Sequence, residues 1–458
     1  MKPAAAPAMR VAIIGAGAAG LCAAKNLLAA GAEVVVHELG SRIGGLWVYD
    51  SDSGLAPAYK SLHLNSEARA TAYRDFPFPA DGPLFPDHAE VCRYLEAYTD
   101  QFGVREHIRF RSRVTHVAPS GGRWTVRSVD ASGEATEAEF DAVVVASGHQ
   151  GQPSHPEWKD QFSGRYLHSH GYRVPEPFRD QRVLVVGMGN SAVDIAADIC
   201  VVTKSTTIVA RSPVLVMPRM LFGVPTARVL GKLERRWMPW PVRRTIRELL
   251  VRIVYGRMEQ WGFTTPKTRT HPTSHTSLMT HFIWNRITAK PAIKSVQGDE
   301  VHFVDGSSAR YDTVIAGTGY RVDLPFLAPA LRPLAGHQLE LFLRVVHPKH
   351  RGLYFAGMFN VAGGGNIRMM DDQAEWITEL VCANASLPDE AGMHKVMAQE
   401  QAYLRRNFPG SARYALELDP PFYRKQLAAE RKRALVQPRP MHDPAQATVD
   451  KAGAHVAA

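Results

Sequence analysis

The sequence predicts an α/β protein in which two parallel-sheet units share one chain and the second unit is inserted into the first. Two observations lead to this prediction. A strand, a glycine-rich turn and a helix follow one another twice, at residues 11–28 and 182–196. Short apolar runs typical of buried strands recur at 142–146, 311–316 and 353–357. We expect the last two runs to return the chain to the first unit.

The first glycine-rich turn has the residues that a dinucleotide needs. A predicted strand breaks at Gly15, Gly17 and Gly20, and a predicted helix follows. Gly15 permits the turn, Gly17 lets a pyrophosphate approach the backbone, and Gly20 lets the helix pack closely on the strand. Glu38 ends the next strand about twenty residues later, where it would accept the ribose hydroxyls and repel a 2′-phosphate. This site therefore predicts FAD or NAD, not NADP.

The second turn predicts a different nucleotide. Gly187 and Gly189 follow an apolar strand, and Asn190 and Ser191 begin the next helix. The strand after that helix ends not in an acidic residue but in Arg211-Ser212. A guanidinium binds a 2′-phosphate bidentately, so this turn predicts NADPH. The alternative for Arg211 is a solvated charge at the end of a strand.

Composition excludes several classes of protein. The 458 residues suggest two or three domains, and the 45% of hydrophobic residues are ample for large cores. The net charge of +10 suits an anionic partner, but the arginines are scattered without a nucleic-acid motif, so we expect no nucleic-acid partner. The four cysteines lie far apart, which predicts neither a redox pair nor a metal site.

The sequence predicts a cytoplasmic protein. The first strand begins too early to leave room for a signal peptide, and no apolar run approaches the ~20 residues of a transmembrane helix. A basic amphipathic helix at 241–255 leaves peripheral membrane contact open, but we favour a helix that covers the active site or packs on the core with its arginines solvated. Its predicted apolar face comprises Val242, Ile246, Leu249, Leu250 and Ile253. A homodimer is also left open.

Prolines and glycines at 151–156 mark the first domain boundary. The predicted organisation is a first part of the FAD-binding domain at 1–152, an NADPH-binding domain at 153–308 with an insert at 213–290, a second part of the FAD-binding domain at 309–435, and a disordered tail at 436–458. Both nucleotide domains are expected to be Rossmann-like.

With these residues in view, the sequence resembles the flavin-containing monooxygenases, a family of class B flavoprotein monooxygenases, up to about residue 430. The matching motifs follow in family order: the first turn with Glu38, the run Gly44-Gly45-Leu46-Trp47, the segment 59–79, the signature FxGxxxHxxxY at Phe162, Gly164, His168 and Tyr172, the second turn, and TGY at 318–320. This combination is far more specific than either turn alone.

The resemblance implies a mechanism. NADPH reduces FAD, oxygen adds at flavin C4a, and the hydroperoxide oxygenates a soft nucleophile, which is an amine nitrogen or a sulfide sulfur. Asn65 matches the family's catalytic asparagine, whose amide donates to the hydroperoxide; the alternative is an asparagine that caps a turn. The signature His168 is expected to couple the domains and not to transfer protons.

The implied FAD-binding residues are Gly15, Gly17, Gly20, Glu38, Arg42, Gly45, Leu46, Trp47, His63, Asn65, Thr318, Gly357 and Gln373. The implied NADP-binding residues are Gly187, Gly189, Asn190, Ser191, Arg211 and Ser212.

Three alternatives remain to be separated. Tyr172 stands where the related Baeyer–Villiger enzymes usually carry tryptophan, which favours oxygenation of nitrogen or sulfur over ketones. A Baeyer–Villiger or N-hydroxylating enzyme is the next interpretation, and a flavoprotein redox sensor without turnover is the third. A flavin disulfide reductase is excluded because the sequence lacks the cysteine pair that such an enzyme places against its flavin.

Overall fold

The computed structural model describes residues 8–234, 238–270, 273–335, 338–361, 365–383, 385–409 and 416–436. The predicted disordered tail, 436–458, lies outside these residues apart from Val436, as do short pieces of the predicted insert.

The strands in chain order are β1 (Arg10–Ile14), β2 (Glu33–His37), β3 (Ile108–Arg109), β4 (Arg113–Ser120), β5 (Arg123–Val129), β6 (Ala135–Phe140), β7 (Ala142–Val145), β8 (Gln152–Pro153), β9 (Arg165–His168), β10 (Arg182–Val186), β11 (Ser205–Val209), β12 (Val216–Met217), β13 (Met220–Leu221), β14 (Val224–Pro225), β15 (Thr273–Ser274), β16 (Ile287–Lys290), β17 (Ile293–Gln297), β18 (Glu300–Phe303), β19 (Ser308–Arg310), β20 (Thr313–Ala316), β21 (Tyr320–Arg321), β22 (Leu334–Ala335), β23 (Gln338–Leu339), β24 (Leu353–Phe355), β25 (Asn360–Val361) and β26 (Glu417–Leu418).

The α-helices are α1 (Ala18–Ala29), α2 (Ala68–Thr71), α3 (His88–Gln101), α4 (Asn190–Ile199), α5 (Thr226–Leu233), α6 (Trp240–Tyr255), α7 (Leu278–Ile283), α8 (Asn366–Cys382), α9 (Glu390–Asn407) and α10 (Pro420–Val436).

Two five-stranded parallel sheets form the framework. The first has the order β24-β7-β1-β2-β3, and the second has the order β16-β11-β10-β20-β9. In each sheet the strand that leads into a glycine turn lies in the interior, between two neighbours, and is largely apolar as a buried parallel strand should be. This arrangement confirms the predicted α/β class.

The predicted domain boundary at residue 308 is too early. Strand β20 pairs with β10 on one side and with β9 on the other, so Thr313–Ala316 belongs to the second sheet. The chain returns to the first sheet only after Gly319. The reason for the error is that an apolar run predicts a buried parallel strand without indicating which of two similar sheets contains it.

The two passages of the chain between the sheets lie side by side. Strand β8 leads out of the first sheet and β21 leads back, and the two pair antiparallel, with Tyr320 opposite Pro153 and Arg321 opposite Gln152. A short two-stranded ribbon therefore connects the sheets at this place.

Helix α6 has close to the predicted bounds, but part of its predicted apolar face is exposed. Val242, Leu249 and Ile253 are 45%, 56% and 62% exposed, whereas Arg243 and Arg247 border the central cavity described below. This position is consistent with the prediction that α6 covers the active-site side, and Arg243 and Arg247 are partly exposed. Peripheral membrane contact through 241–255 stays a prediction. Among the residues that the structure describes, no helix is long and apolar enough to cross a bilayer.

Candidate active site

One large cavity of about 1040 Å³ lies between the first glycine turn and the start of α4, the helix that follows the second turn. Its walls include Gly15 and Gly17 of the first turn, Asn190 and Ser191 at the start of α4, and residues of the insert. The volume lies at the upper end of the range for ligand cavities, roughly 300–1000 Å³. The cavity is therefore large enough for a nucleotide cofactor and a small substrate to meet in one space.

The first turn forms a groove of bare backbone. Gly17 precedes α1 as its N-cap, and no side chain caps the helix. A Cβ atom on Gly45 would lie 3.1 Å from the Cα of Gly17, so side chains at these two positions would fill the groove. Backbone N–H groups at a helix N-terminus bind phosphates. The groove fits the pyrophosphate of FAD.

Glu38 follows the end of β2 on the cavity wall. Its Oε2 accepts the N–H of Ala16 at 2.7 Å, and its Oε1 accepts the N–H of Gly40 at 2.7 Å. Burial raises the pKa of this carboxyl, and the two backbone hydrogen bonds oppose that rise. Each carboxylate oxygen keeps a second lone pair, so Glu38 could still accept the ribose hydroxyls, which stays a prediction.

Gly20 does not border the cavity but fixes α1 against β1. A Cβ atom at this position would lie 1.9 Å from the carbonyl oxygen of Gly15 and 3.4 Å from the Cβ of Ala146. We expect Gly20→Ala to force the helix away from the strand, to lose most of its bound FAD, and to unfold at a lower temperature. Flavin absorbance per protein and thermal unfolding measure both effects.

The matched control is Gly189→Ala in the second turn. Gly189 has an ordinary negative φ of −71°, and a Cβ atom added there would meet no other atom within 4 Å. This variant should therefore fold and retain FAD. Equal flavin content in wild type and Gly20→Ala would contradict the packing role of Gly20.

Most of the predicted FAD residues share the cavity wall. Together with Gly15, Gly17 and Glu38, the wall includes Arg42, Gly45, Leu46, Trp47, His63, Asn65 and Gly357.

Besides Gly20, two predicted FAD residues do not border the cavity. Gln373 is fully buried; its Oε1 accepts the N–H of Gly357 at 2.9 Å and its Nε2 donates to the hydroxyl of Tyr423 at 3.1 Å. It supports the turn at Gly357 and does not border the cavity. The Thr318 hydroxyl donates to the carbonyl of Ser154. Both residues make structural contacts that sequence spacing does not reveal.

The irregular segment that carries Asn65 is fixed by its neighbours. The Leu64 N–H donates to the carbonyl of Pro86 at 2.8 Å, and the N–H of His88 donates to the carbonyl of Leu62 at 2.9 Å. Leu64 is buried, whereas Asn65 is exposed and borders the cavity. The backbone pairing therefore presents Asn65 at a fixed place.

The second turn has the geometry that the sequence predicts, but its glycines and Arg211 lie outside the cavity wall. Gly187 has a φ of +119°, and its N–H donates to the carbonyl of Val209 at 3.1 Å. Arg211 and Ser212, two and three residues after Val209, are exposed. The end of β11 is thus bound to the turn, and the role of Arg211 as the partner of a 2′-phosphate stays a prediction.

A buried polar junction was not predicted. Asp194 of α4 is 7% exposed, and its Oδ2 accepts the Tyr59 hydroxyl at 2.7 Å. Its Oδ1 lies 3.3 Å from Nε2 of His275 and 3.6 Å from Nη2 of Arg219. Burial raises the pKa of Asp194 to about 6, and the Arg219 charge opposes that rise. Burial and Arg219 lower the pKa of His275 to about 3, so the imidazole is neutral.

The sequence offered a signal for only part of this junction. Asp194 is an acidic residue between Val193 and Ile195 in a largely apolar stretch of helix, which indicates a buried partner. Arg219 lies in an irregular stretch of the insert where periodicity gives no signal.

Charged pairs join the insert to the rest of the molecule and tie its own parts together. Arg247 donates to both carboxylate oxygens of Glu234, at 2.6 and 2.9 Å. Arg269 pairs with Asp419, near the start of α10. These four residues border the cavity, so its insert side is polar.

The signature residues act away from the cavity. Tyr172 is fully buried and donates its hydroxyl to Asp198 on α4. His168 accepts the N–H of His170 at its Nδ1, 3.0 Å away, and its Nε2 donates to the carbonyl of Gly319 at 3.1 Å. Neither residue borders the cavity. The presence of tyrosine instead of tryptophan at position 172 is therefore weaker evidence about the class of substrate.

We expect His168 to make stability depend on pH. Burial, with the nearby His155, lowers the pKa of His168 from 6.5 to about 4. Between these values the unfolded chain binds more protons, so the free energy of unfolding falls as the pH is lowered from 6.5 towards 4. His168→Gln keeps a donor for Gly319 and should show a smaller fall in melting temperature between pH 7 and pH 5. His116→Gln, at an exposed residue of β4, is the control. Equal slopes for His168→Gln and wild type would contradict this role.

The two parallel sheets, each with a glycine turn, and the cavity between the first turn and α4 define the class of proteins with two dinucleotide-binding folds. The comparisons with known proteins are more specific. A sequence model of the flavin-binding monooxygenase-like family matches residues 8–430. The chain belongs to this family.

Individual relatives support the same family assignment. Dimethylaniline monooxygenase [N-oxide-forming] 4 of Mus musculus is 31% identical over 414 residues, which cover 86% of this chain and 72% of the relative. The structure of S-allyl-L-cysteine S-oxygenase from Allium sativum superposes with a TM-score of 0.70 at 27% identity, covering 93% of this chain and 89% of that one. An open structure of cyclohexanone monooxygenase has a TM-score of 0.64 at 16% identity, covers 93% of this chain and 98% of that one, and shows the shared fold alone. The protein is a flavin monooxygenase, and its family depends on FAD and NADPH.

Proposed function

We propose that the protein uses NADPH, FAD and O₂ to oxygenate a soft nucleophile, which is an amine nitrogen or a sulfide sulfur. The observation that carries the proposal is that the first turn, the start of α4 and Asn65 all border one cavity. A cofactor on each turn would extend into the same space. Bound FAD, once reduced, supplies the oxygen chemistry.

The residues of the chain have the remaining tasks. Gly17, Gly45 and Glu38 would hold FAD, and Gly187 with Arg211 would hold NADPH. Asn65 would donate an amide N–H to the oxygen that is left behind when the O–O bond breaks, because negative charge develops there. The insert would exclude water from that step.

Two names among the relatives support nitrogen or sulfur as the target. The Mus musculus relative is named for N-oxide formation, and the Allium sativum protein is an S-oxygenase. Both are more similar in sequence to this chain than cyclohexanone monooxygenase is. These similarities favour N- or S-oxygenation over ketone oxidation.

The test is to incubate the FAD-loaded protein with NADPH and, separately, a tertiary amine, a dialkyl sulfide and a cyclic ketone. We expect the amine or the sulfide to stimulate NADPH consumption and to gain one oxygen atom by mass. A lactone or ester as the sole product would instead indicate a Baeyer–Villiger enzyme. No stimulation by any of the three, with FAD fully bound, would favour the redox sensor.

A further inference from the structure

Arg219 of the insert contacts Asn65 at the cavity wall. Its Nη2 donates to Oδ1 of Asn65 at 2.8 Å. The two residues are far apart in sequence, and both border the cavity. The contact therefore joins the insert to the segment that carries the predicted catalytic amide.

The chemistry of the two side chains fixes the orientation of the amide. A guanidinium group has five N–H donors and no acceptor, so the Asn65 carboxamide must turn its oxygen towards Arg219. The Nδ2 group, which carries both N–H donors, then points away from Arg219. With a partner that could accept as well as donate, either orientation of the amide would be allowed.

Arg219 is itself held in place. Its side chain is 10% exposed, and its Nη2 lies 3.6 Å from Oδ1 of Asp194. The guanidinium carbon lies 6.0 Å from the centre of the Phe85 ring. The N–H of Thr226 donates to the carbonyl of Arg219 at 2.9 Å, which fixes the backbone. A side chain with these contacts is able to orient a neighbour.

Asp194 extends the chain of contacts to the second nucleotide turn. It lies on α4, the helix that begins at Asn190 directly after the glycines. The hydroxyl of Tyr59, only a few residues before Asn65, donates to the other oxygen of the same carboxylate at 2.7 Å. The segment containing Asn65 is thus bound to α4 by two contacts that meet at Asp194, and the Ser61 hydroxyl adds a third by donating to Asp198 at 2.8 Å.

We infer that Arg219 is a positioning residue for oxygen transfer: it holds the Asn65 carboxamide with its N–H donors towards the cavity and links that orientation, through Asp194, to the helix of the second nucleotide turn. This inference rests on the proposed function, in which Asn65 donates to the oxygen that becomes negatively charged during the transfer. Arg219 does not need to touch substrate or cofactor to have this effect.

The test is the yield of oxygenated product per NADPH consumed. In Arg219→Gln we expect the rate of flavin reduction by NADPH to stay within about twofold of wild type, while product per NADPH falls by roughly tenfold and H₂O₂ rises, since misplacing a reacting group by about 1 Å costs up to ~100-fold. Arg219→Lys keeps one donor and should recover part of the yield. FAD content and melting temperature should match wild type for the lysine variant.

Arg228→Gln is the matched control. Arg228 lies on α5 of the same insert and pairs with Glu67 at 2.6 Å, so it also joins the insert to the first part of the chain, but its hydrogen bond is to Glu67 and not to Asn65. A general loosening of the insert would lower the yield in Arg228→Gln as well. A selective role of Arg219 predicts wild-type yield in this control.

A double variant of Asn65 and Arg219 tests whether Arg219 affects the yield through Asn65 or by another route. If Arg219 acts through Asn65, then Asn65→Ala combined with Arg219→Gln gives the same yield as Asn65→Ala alone. A further loss in the double variant would overturn the inference. Wild-type yield in Arg219→Gln, with Asn65→Ala uncoupled, would overturn it and leave the proposed function intact.

A crystal structure of Arg219→Gln gives a readout that does not depend on activity. We expect the Asn65 carboxamide to be turned or disordered in that variant, and to keep its oxygen towards Arg219 in Arg228→Gln. An unchanged Asn65 orientation in Arg219→Gln would overturn the inference, whatever the wild-type protein oxygenates. A wild-type protein that oxygenates none of the test compounds would contradict the proposed function instead.

Discussion

Asn65→Ala is expected to consume NADPH at close to the wild-type rate while product formation falls by roughly 100-fold and H₂O₂ takes its place. Removing one preorganised hydrogen-bond donor from a developing negative charge typically costs about 10²–10³ in rate. Flavin reduction does not need that donor, so its rate should remain. Stopped-flow reduction by NADPH, together with product and peroxide yields, distinguishes the two steps.

Asn65→Asp is the companion variant. Its carboxylate keeps the size of asparagine and an acceptor for Arg219, whose Nη2 donates to position 65 at 2.8 Å in this structure. An ionised carboxylate has no N–H to donate, so this variant should be uncoupled as well. Wild-type coupling in Asn65→Ala would remove Asn65 from the mechanism.

The second large effect is expected at Arg211. Arg211→Ala should raise the KM for NADPH by roughly 10- to 100-fold, because a hydrogen bond to a charged group contributes about 1.5–3 kcal/mol. NADH lacks the 2′-phosphate, so its KM should change little. The ratio of kcat/KM for the two coenzymes measures the effect without depending on the total amount of active protein.

Arg310→Ala provides the control for the loss of a positive charge. Arg310 is an exposed arginine of the same part of the chain, on β19, where it pairs with Asp299 at 3.3 Å. Its replacement should leave the coenzyme ratio unchanged. Equal changes for NADPH and NADH in Arg211→Ala would show that the arginine has no contact with the 2′-phosphate.

The sequence was most informative where the backbone itself imposes the constraint. Gly15 must adopt a φ of +106°, and Gly20 leaves no room for a Cβ atom, so these positions are restricted to glycine whatever surrounds them. Glu38 directly follows β2, which pairs with β1 up to Ile14 opposite His37, next to the first glycine turn. Such local rules made the two turns and the α/β class predictable.

Errors arose where a local pattern has two tertiary solutions. The sequence of β20 is that of a buried strand, but it does not specify the sheet. The periodicity of α6 correctly groups Val242, Leu249 and Ile253 on one side, but does not say which side faces solvent. Arg219 has no periodic context at all. Its partner Asn65 is distant in sequence, and only the folded chain brings the two together.

The side-by-side passages of the chain have a consequence for motion within the molecule. Because β8 and β21 form one ribbon that carries both passages of the chain, we expect any rotation of one sheet relative to the other to turn about this ribbon. Away from this ribbon, charged pairs join the insert to other parts of the chain. Arg228 and Glu67 form the more accessible pair, with 45% of the arginine side chain exposed, whereas Arg269 and Asp419 are 13% and 8% exposed. Salt screens exposed charges much more than buried ones, so we expect rising ionic strength to weaken the Arg228–Glu67 pair before the Arg269–Asp419 pair.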